Sequence, residues 1–163
     1  MKGLIFGIVT ALMFSGLEVA KDVHGKVIAV IDGNTFQVRD QDKRIHKILL
    51  TGIDCPELEQ EYGQEARKFL EKMILHKDVT IYDKGKDRFG NPLVEVKIKG
   101  VKDPRIELLK EGLAWPDEKN TRSDLEYLRE SAQLRGKGLW KQSNPTPPWV
   151  YRREQTLSTR KNS

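Results

Sequence analysis

Cysteine is nearly absent: Cys55 stands alone among 163 residues, so no internal disulfide can form and stability has to come from packing. Histidine is scarce too, and His24, His46 and His76 are scattered without the spacing of a zinc site. No apolar run reaches the roughly 20 residues that a spanning helix needs. The longest, Gly3 to Phe14, follows Met1-Lys2 and has the form of a secretory leader. Cleavage after Ala20 would put Glu18 at a position where a small residue is preferred, so residues 1–20 are read as a signal peptide or a retained anchor. The expected location is secreted or cell-envelope, and membrane-anchored if the leader is retained. No cysteine follows the run, which argues against a lipid anchor.

Positive charge is thinner than the net +5 suggests. In the leader Lys2 cancels Glu18. Beyond Tyr151, Arg152, Arg153, Arg160 and Lys161 against Glu154 give +3, which leaves +2 for residues 21–151. A domain that grips nucleic acid ordinarily shows a larger basic face, so composition alone does not point to such a partner. Residues 152–163 are polar, have nothing to bury and are expected to be a basic disordered tail.

What is present is strand alternation followed by helical periodicity. Val27, Ala29 and Ile31 share one face of a first strand, and a second begins at Thr35 after the Asp32-Gly33 turn. A third runs from Ile45 to Leu50. From Gly63 to Leu75, Ala66, Phe69, Leu70, Met73 and Ile74 form the stripe of a core-facing helix. Val79 to Tyr82 and Leu93 to Ile98 are two more strands. Asp103-Pro104 caps a short helix that stops at Gly112, and residues 122–135 form a third helix. This order predicts one α+β domain over residues 21–151, an OB-type five-stranded β-barrel with three α-helices.

Two short motifs carry the chemistry. Ile31-Asp32-Gly33-Asn34-Thr35 is followed about twenty residues later by Gly52-Ile53-Asp54-Cys55-Pro56-Glu57. Two carboxylates on a turn stiffened by Pro56 can hold a hard cation and a water together, or can simply cap the turn and face solvent. Tyr62-Gly63, Gly112-Leu113-Ala114-Trp115, Gly138-Leu139-Trp140 and Pro147-Pro148-Trp149 follow in order. Together these stretches resemble the staphylococcal (micrococcal) nuclease family, from Val27 to Arg152.

The resemblance implies a calcium-dependent phosphodiesterase acting on DNA and RNA. A glutamate, here matched by Glu57, would orient or deprotonate the attacking water, while calcium and two arginines stabilise phosphoryl charge. It also implies losses. The first calcium-binding aspartate falls on Asn34, whose amide oxygen can still coordinate but without the charge; with Asp54, the backbone carbonyl of Cys55 and nearby Asp32 it makes a candidate weak calcium site. The two arginine positions fall on Leu49 and Asn91. Lys47, on the same strand face as Leu49, and Arg88 are the candidate substitute cations, although lysine cannot make a two-pronged phosphate clamp. Arg88 matches a phosphate-contacting lysine of relatives, and Phe89 keeps an aromatic ring by the expected nucleotide pocket. Asp117 stands where relatives place a tyrosine. Cys55 is read as a small buried filler, and Trp115, Trp140 and Trp149 as core and tail-packing anchors.

Losing one preorganised electrostatic contact costs about 3–4 kcal/mol. The leading expectation is therefore an exported, non-catalytic or strongly attenuated member that binds a ligand, with single-stranded nucleic acid as the candidate. The alternatives are an active metal-dependent phosphodiesterase that uses Glu57 with relocated cations, and a structural module that binds an envelope protein.

Overall fold

The first three strands form a meander. In the computed structural model, which describes residues 22–86, 92–119 and 122–161, β1 (Val23–Val30), β2 (Thr35–Asp40) and β3 (Ile45–Leu49) are antiparallel neighbours. The register slips between Val27 and Ala29 opposite β2. That bulge overrides simple alternation: Val27 and Val30 are buried, while Ala29 and Ile31 are only half-buried. The extra residue turns the second half of β1 so that Val30 replaces the expected residues on the core face.

β5 (Asp78–Lys86) pairs with the start of β1, and β6 (Pro92–Ile98) pairs with β5. Both are longer than the sequence pattern marks, because ladder pairing carries the backbone into the polar segment behind Tyr82. The sheet order β3-β2-β1-β5-β6 gives a curled antiparallel half-barrel, in keeping with the OB-type expectation. A separate two-stranded ladder joins β4 (Ile53–Asp54) to β7 (Trp115–Pro116).

α1 (Gly63–Ile74) lies against the sheet with Ala66, Leu70 and Ile74 buried. Its N-cap, Tyr62, sits at a left-handed φ of 69° and makes no side-chain capping bond. Packing rather than capping therefore holds this helix, since burying Leu70 and Ile74 contributes about 1.5–3 kcal/mol each. α2 (Pro104–Lys110) starts as its sequence suggests, with the Asp103 carboxylate accepting from the Arg105 N–H at 3.0 Å. α3 (Ser123–Leu134) buries Leu125 and Ala132, and a short 3-10 turn spans Gly138–Lys141.

The described residues contain four α-helices rather than three. The additional one, α4 (Pro148–Lys161), takes in most of the segment expected to be disordered. Proline at its first position is preorganised for a helix, and Val150 and Tyr151 N–H donate to Pro147 O. Pro148 is fully buried, and the Trp149 ring meets Trp115 edge-on with centroids 5.8 Å apart. Trp115 in turn meets Trp140 at 4.5 Å, so the tryptophans do anchor the C-terminal segment to the body. Among the described residues no helix is long and apolar enough to cross a membrane. The leader, Arg88, Phe89 and Asn91 lie outside the described residues.

Candidate active site

The turn between β1 and β2 is built by its own side chains. Asp32 Oδ1 accepts from the Asn34 N–H at 2.9 Å, and Ile31 N–H donates to Thr35 O at 2.8 Å. At Gly33 any Cβ would lie 2.6 Å from Cys55 Cβ and 2.9 Å from Ala66 Cβ. Only glycine permits that approach, and it presses the Asp32 turn onto the chain that carries Asp54. Asn34 Nδ2 donates to Ile53 O at 3.4 Å. Here an aspartate would set an acceptor beside that carbonyl. Leu50 N–H donates to Asn34 O at 2.8 Å, which brings the end of β3 and Leu49 to the same edge.

Asp54 sits on β4, paired with Trp115 of β7. After the fully buried Pro56, Glu57 is fixed through its backbone. Its N–H donates to Gln60 Oε1 and its carbonyl accepts from the Gln60 N–H, both at 2.9 Å. A Cβ on Gly63 would lie 1.9 Å from Glu57 O, so the start of α1 also requires glycine. The turn is thus held by Gln60, and the Glu57 carboxylate is left to project. Cys55 is buried between these pieces, and burial, reinforced by Asp54 and Asp32, pushes its thiol well up. It suits the filler role and not that of a nucleophile.

Opposite these turns lies α4. Trp149, Arg152, Arg153, Thr156 and Leu157 fall at helical spacing and all line the cleft. Arg152 Nη2 donates to Asp54 Oδ2 at 2.6 Å, and Nη1 donates to Asp54 Oδ1 at 3.2 Å and to Glu57 Oε1 at 2.8 Å. One guanidinium therefore bridges both candidate carboxylates. The hydrogen bonds that Arg152 donates to Asp54, with Glu57 adding and burial opposing, raise its pKa further above its ordinary value. It is a permanent cation. Arg153 reaches Glu118 at 3.4 Å.

The cleft enclosed by these parts has a volume of about 840 Å³. Among the described residues, its lining has five carboxylates, Asp32, Asp54, Glu57, Asp117 and Glu118, against three cations, Lys119, Arg152 and Arg153. Leu49 lines it as well and is 56% exposed. Lys47 shares the exposed face of β3 with Leu49 but does not line the cleft.

The staphylococcal nuclease homologue profile matches residues 47–142. An "Uncharacterized endonuclease" of Escherichia coli O157:H7 is 33% identical over 141 residues, covering 86% of this chain and 92% of its own. A Haemophilus influenzae protein of the same description is 32% identical over 135 residues, covering 82% of this chain and 75% of its own. The "Probable staphylococcal-like nuclease CAN1" of Oryza sativa is 36% identical over 115 residues, 70% of this chain and 34% of that one. The chain belongs to the staphylococcal nuclease family.

Seen as a nuclease-family cleft, the site keeps Asp32, Asp54, Cys55 and Glu57 together, with Asn34 and Leu49 beside them. Calcium, which the family resemblance implies, needs six to eight oxygen donors. Among the described residues no group of three or more His, Cys, Asp or Glu gathers to hold a metal. Both Asp54 oxygens and Glu57 Oε1 are engaged by Arg152, Asp32 Oδ1 accepts a backbone N–H, and Asn34 brings no charge. In this arrangement the donor set does not fit calcium.

Arg152 is the residue that sequence reasoning placed in the tail and not in the site. A signal for it exists. Trp149-x-x-Arg152-Arg153-x-x-Thr156-Leu157, directly after two prolines, is one helical face with a single aromatic anchor.

Proposed function

We propose that the chain is a nuclease-like domain with a degraded phosphodiesterase site, exported by its N-terminal apolar segment. In this reading it binds nucleic acid and hydrolyses it far more slowly than a relative that keeps both arginines. Leu49 carries the reading. It stands on the cleft wall at an arginine position, 56% exposed, and its side chain has no donor for a phosphoryl oxygen. One such contact is worth about 10²–10³ in rate. Asn34 removes a further charge from the metal-facing turn, and the excess of carboxylates in the lining works against a phosphate that arrives without a counter-ion. Among the described residues Lys119 and Arg153 are the other lining cations that could meet a polyanion, so binding is expected to weaken as salt rises.

The test is hydrolysis of single-stranded DNA and RNA by the purified chain in excess calcium. Glu57→Ala and the triple variant Asn34→Asp, Leu49→Arg, Asn91→Arg run alongside. We expect the wild type near background and the triple variant faster by about 10²-fold or more. Wild-type hydrolysis that disappears in Glu57→Ala and with chelator sinks the reading.

One observation favours a second reading. Arg152 brings a guanidinium to Glu57, as a relocated catalytic arginine would. An active phosphodiesterase of that kind would lose its activity in Arg152→Ala.

A further inference from the structure

We infer that α4 is a strap that closes the cleft with the chain's own cation. Arg152 occupies the carboxylates of Asp54 and Glu57 in place of a divalent metal and keeps one out. The inference rests on the family reading of that carboxylate pair and is independent of whether any hydrolysis occurs.

Three features support it. The guanidinium satisfies three carboxylate oxygens at once, at 2.6, 2.8 and 3.2 Å, which are the oxygens a hard cation would claim. The helix presents a whole face to the cleft, from Trp149 to Leu157, so the contact belongs to the seating of α4 and not to one stray side chain. The seating is also light. The buried Pro148, Trp149 against Trp115 and the two ion-paired arginines hold it, while every residue from Arg152 to Thr159 is exposed. Before the helix, the chain is tied to the body near this site by Gln60 Nε2 donating to Thr146 O at 3.2 Å, so the strap hinges close to its own lock. Beyond the buried Pro148, a tie made of partly exposed ion pairs and one ring contact can be exchanged without unfolding the barrel.

Competition between an internal guanidinium and a metal for the same oxygens is a coupling, and such couplings typically amount to about 5–150-fold in affinity. Titration calorimetry of calcium chloride into the full chain measures it directly. Arg152→Gln is expected to bind calcium about tenfold tighter than the wild type or better, and adding Glu57→Gln to that variant should abolish the gain. A folded Arg152→Gln whose calcium affinity stays within about twofold of the wild type overturns the inference.

A measurement on the wild type guards against a variant that fails to fold. Millimolar calcium should speed tryptic cleavage after Arg152 and Arg153 beyond the effect of sodium chloride at matched ionic strength. Cleavage that calcium leaves unchanged overturns the inference as well. Neither readout involves substrate, so failure here leaves the hydrolysis result standing, and the reverse holds.

Discussion

The two walls of the cleft are made differently. On the barrel side, Asp32, Asn34, Asp54 and Glu57 are positioned by backbone: turns closed by hydrogen bonds, and glycines whose missing Cβ lets one segment rest on another. On the α4 side, Arg152 is positioned by the buried Pro148 at the start of the helix, one aromatic contact and its own ion pairs. The barrel wall cannot change without repacking, whereas the α4 wall presents mostly exposed residues held by side-chain contacts. The contrast teaches that the rigid half sets the carboxylate geometry through its backbone, independently of neighbouring side chains such as Leu49.

The largest effect should come from damaging the rigid wall. Gly63→Ala places a Cβ 1.9 Å from Glu57 O, a clash with backbone that no rotamer relieves. A loss of about 3 kcal/mol is expected in urea unfolding, at the top of the usual range for overpacking. A loss under about 0.5 kcal/mol, the size of an ordinary surface substitution, would show that this wall yields after all.

Trp149→Ala attacks the other wall at its anchor. The ring is half-buried against Trp115, so about 1–2 kcal/mol is expected, with a drop in helical circular dichroism and unchanged sheet signal. Loss of sheet signal in step with helix signal would mean that the two walls are one cooperative unit.

Arg152→Gln should cost less. Arg152 is 47% exposed, so solvent screening holds the pair to about 1 kcal/mol or below despite its fork geometry. The difference from the wild type should shrink as sodium chloride rises.

The smallest effect concerns pH and belongs to the barrel side. Asp40 closes the β2–β3 turn, accepting from His46 Nε2 at 2.7 Å, from Arg44 N–H at 2.8 Å and from Arg44 Nε at 3.0 Å. The His46 hydrogen bond, with Arg44 adding and burial opposing, lowers its pKa from 3.8 to about 2. A lowered carboxylate pKa contributes stability in full above the unfolded value and loses it as pH falls through the folded one. Stability of the wild type should therefore fall between pH 3.8 and about 2 more steeply than that of Asp40→Asn. Parallel acid limbs would rule out Asp40 as a source of that slope.

The barrel wall was legible in the sequence because its determinants are local. Asp32-Gly33-Asn34 and Asp54 to Glu57 act within a few residues of themselves, and Ala66, Leu70 and Ile74 announce α1 by apolar period. The β1 bulge was not legible, because alternation continues through Ala29 and Ile31 and only pairing with β2 exposes the slip. The α4 wall was missed for a different reason. Its cleft-facing stripe is mostly polar, and its partners Asp54 and Glu57 stand 98 and 95 residues earlier, so neither hydropathy nor local spacing connects them. Only an aromatic after two prolines marks where that helix docks.

The separation of 98 residues between Asp54 and Arg152 has a temporal consequence. A contact that long in sequence is favourable only after the intervening strands and helices have closed the distance, so it is among the last to form as the chain folds. Its half-exposed guanidinium also makes it a contact that costs little to open. The barrel carboxylates are therefore in place before their guanidinium arrives, and their backbone-held geometry does not depend on it.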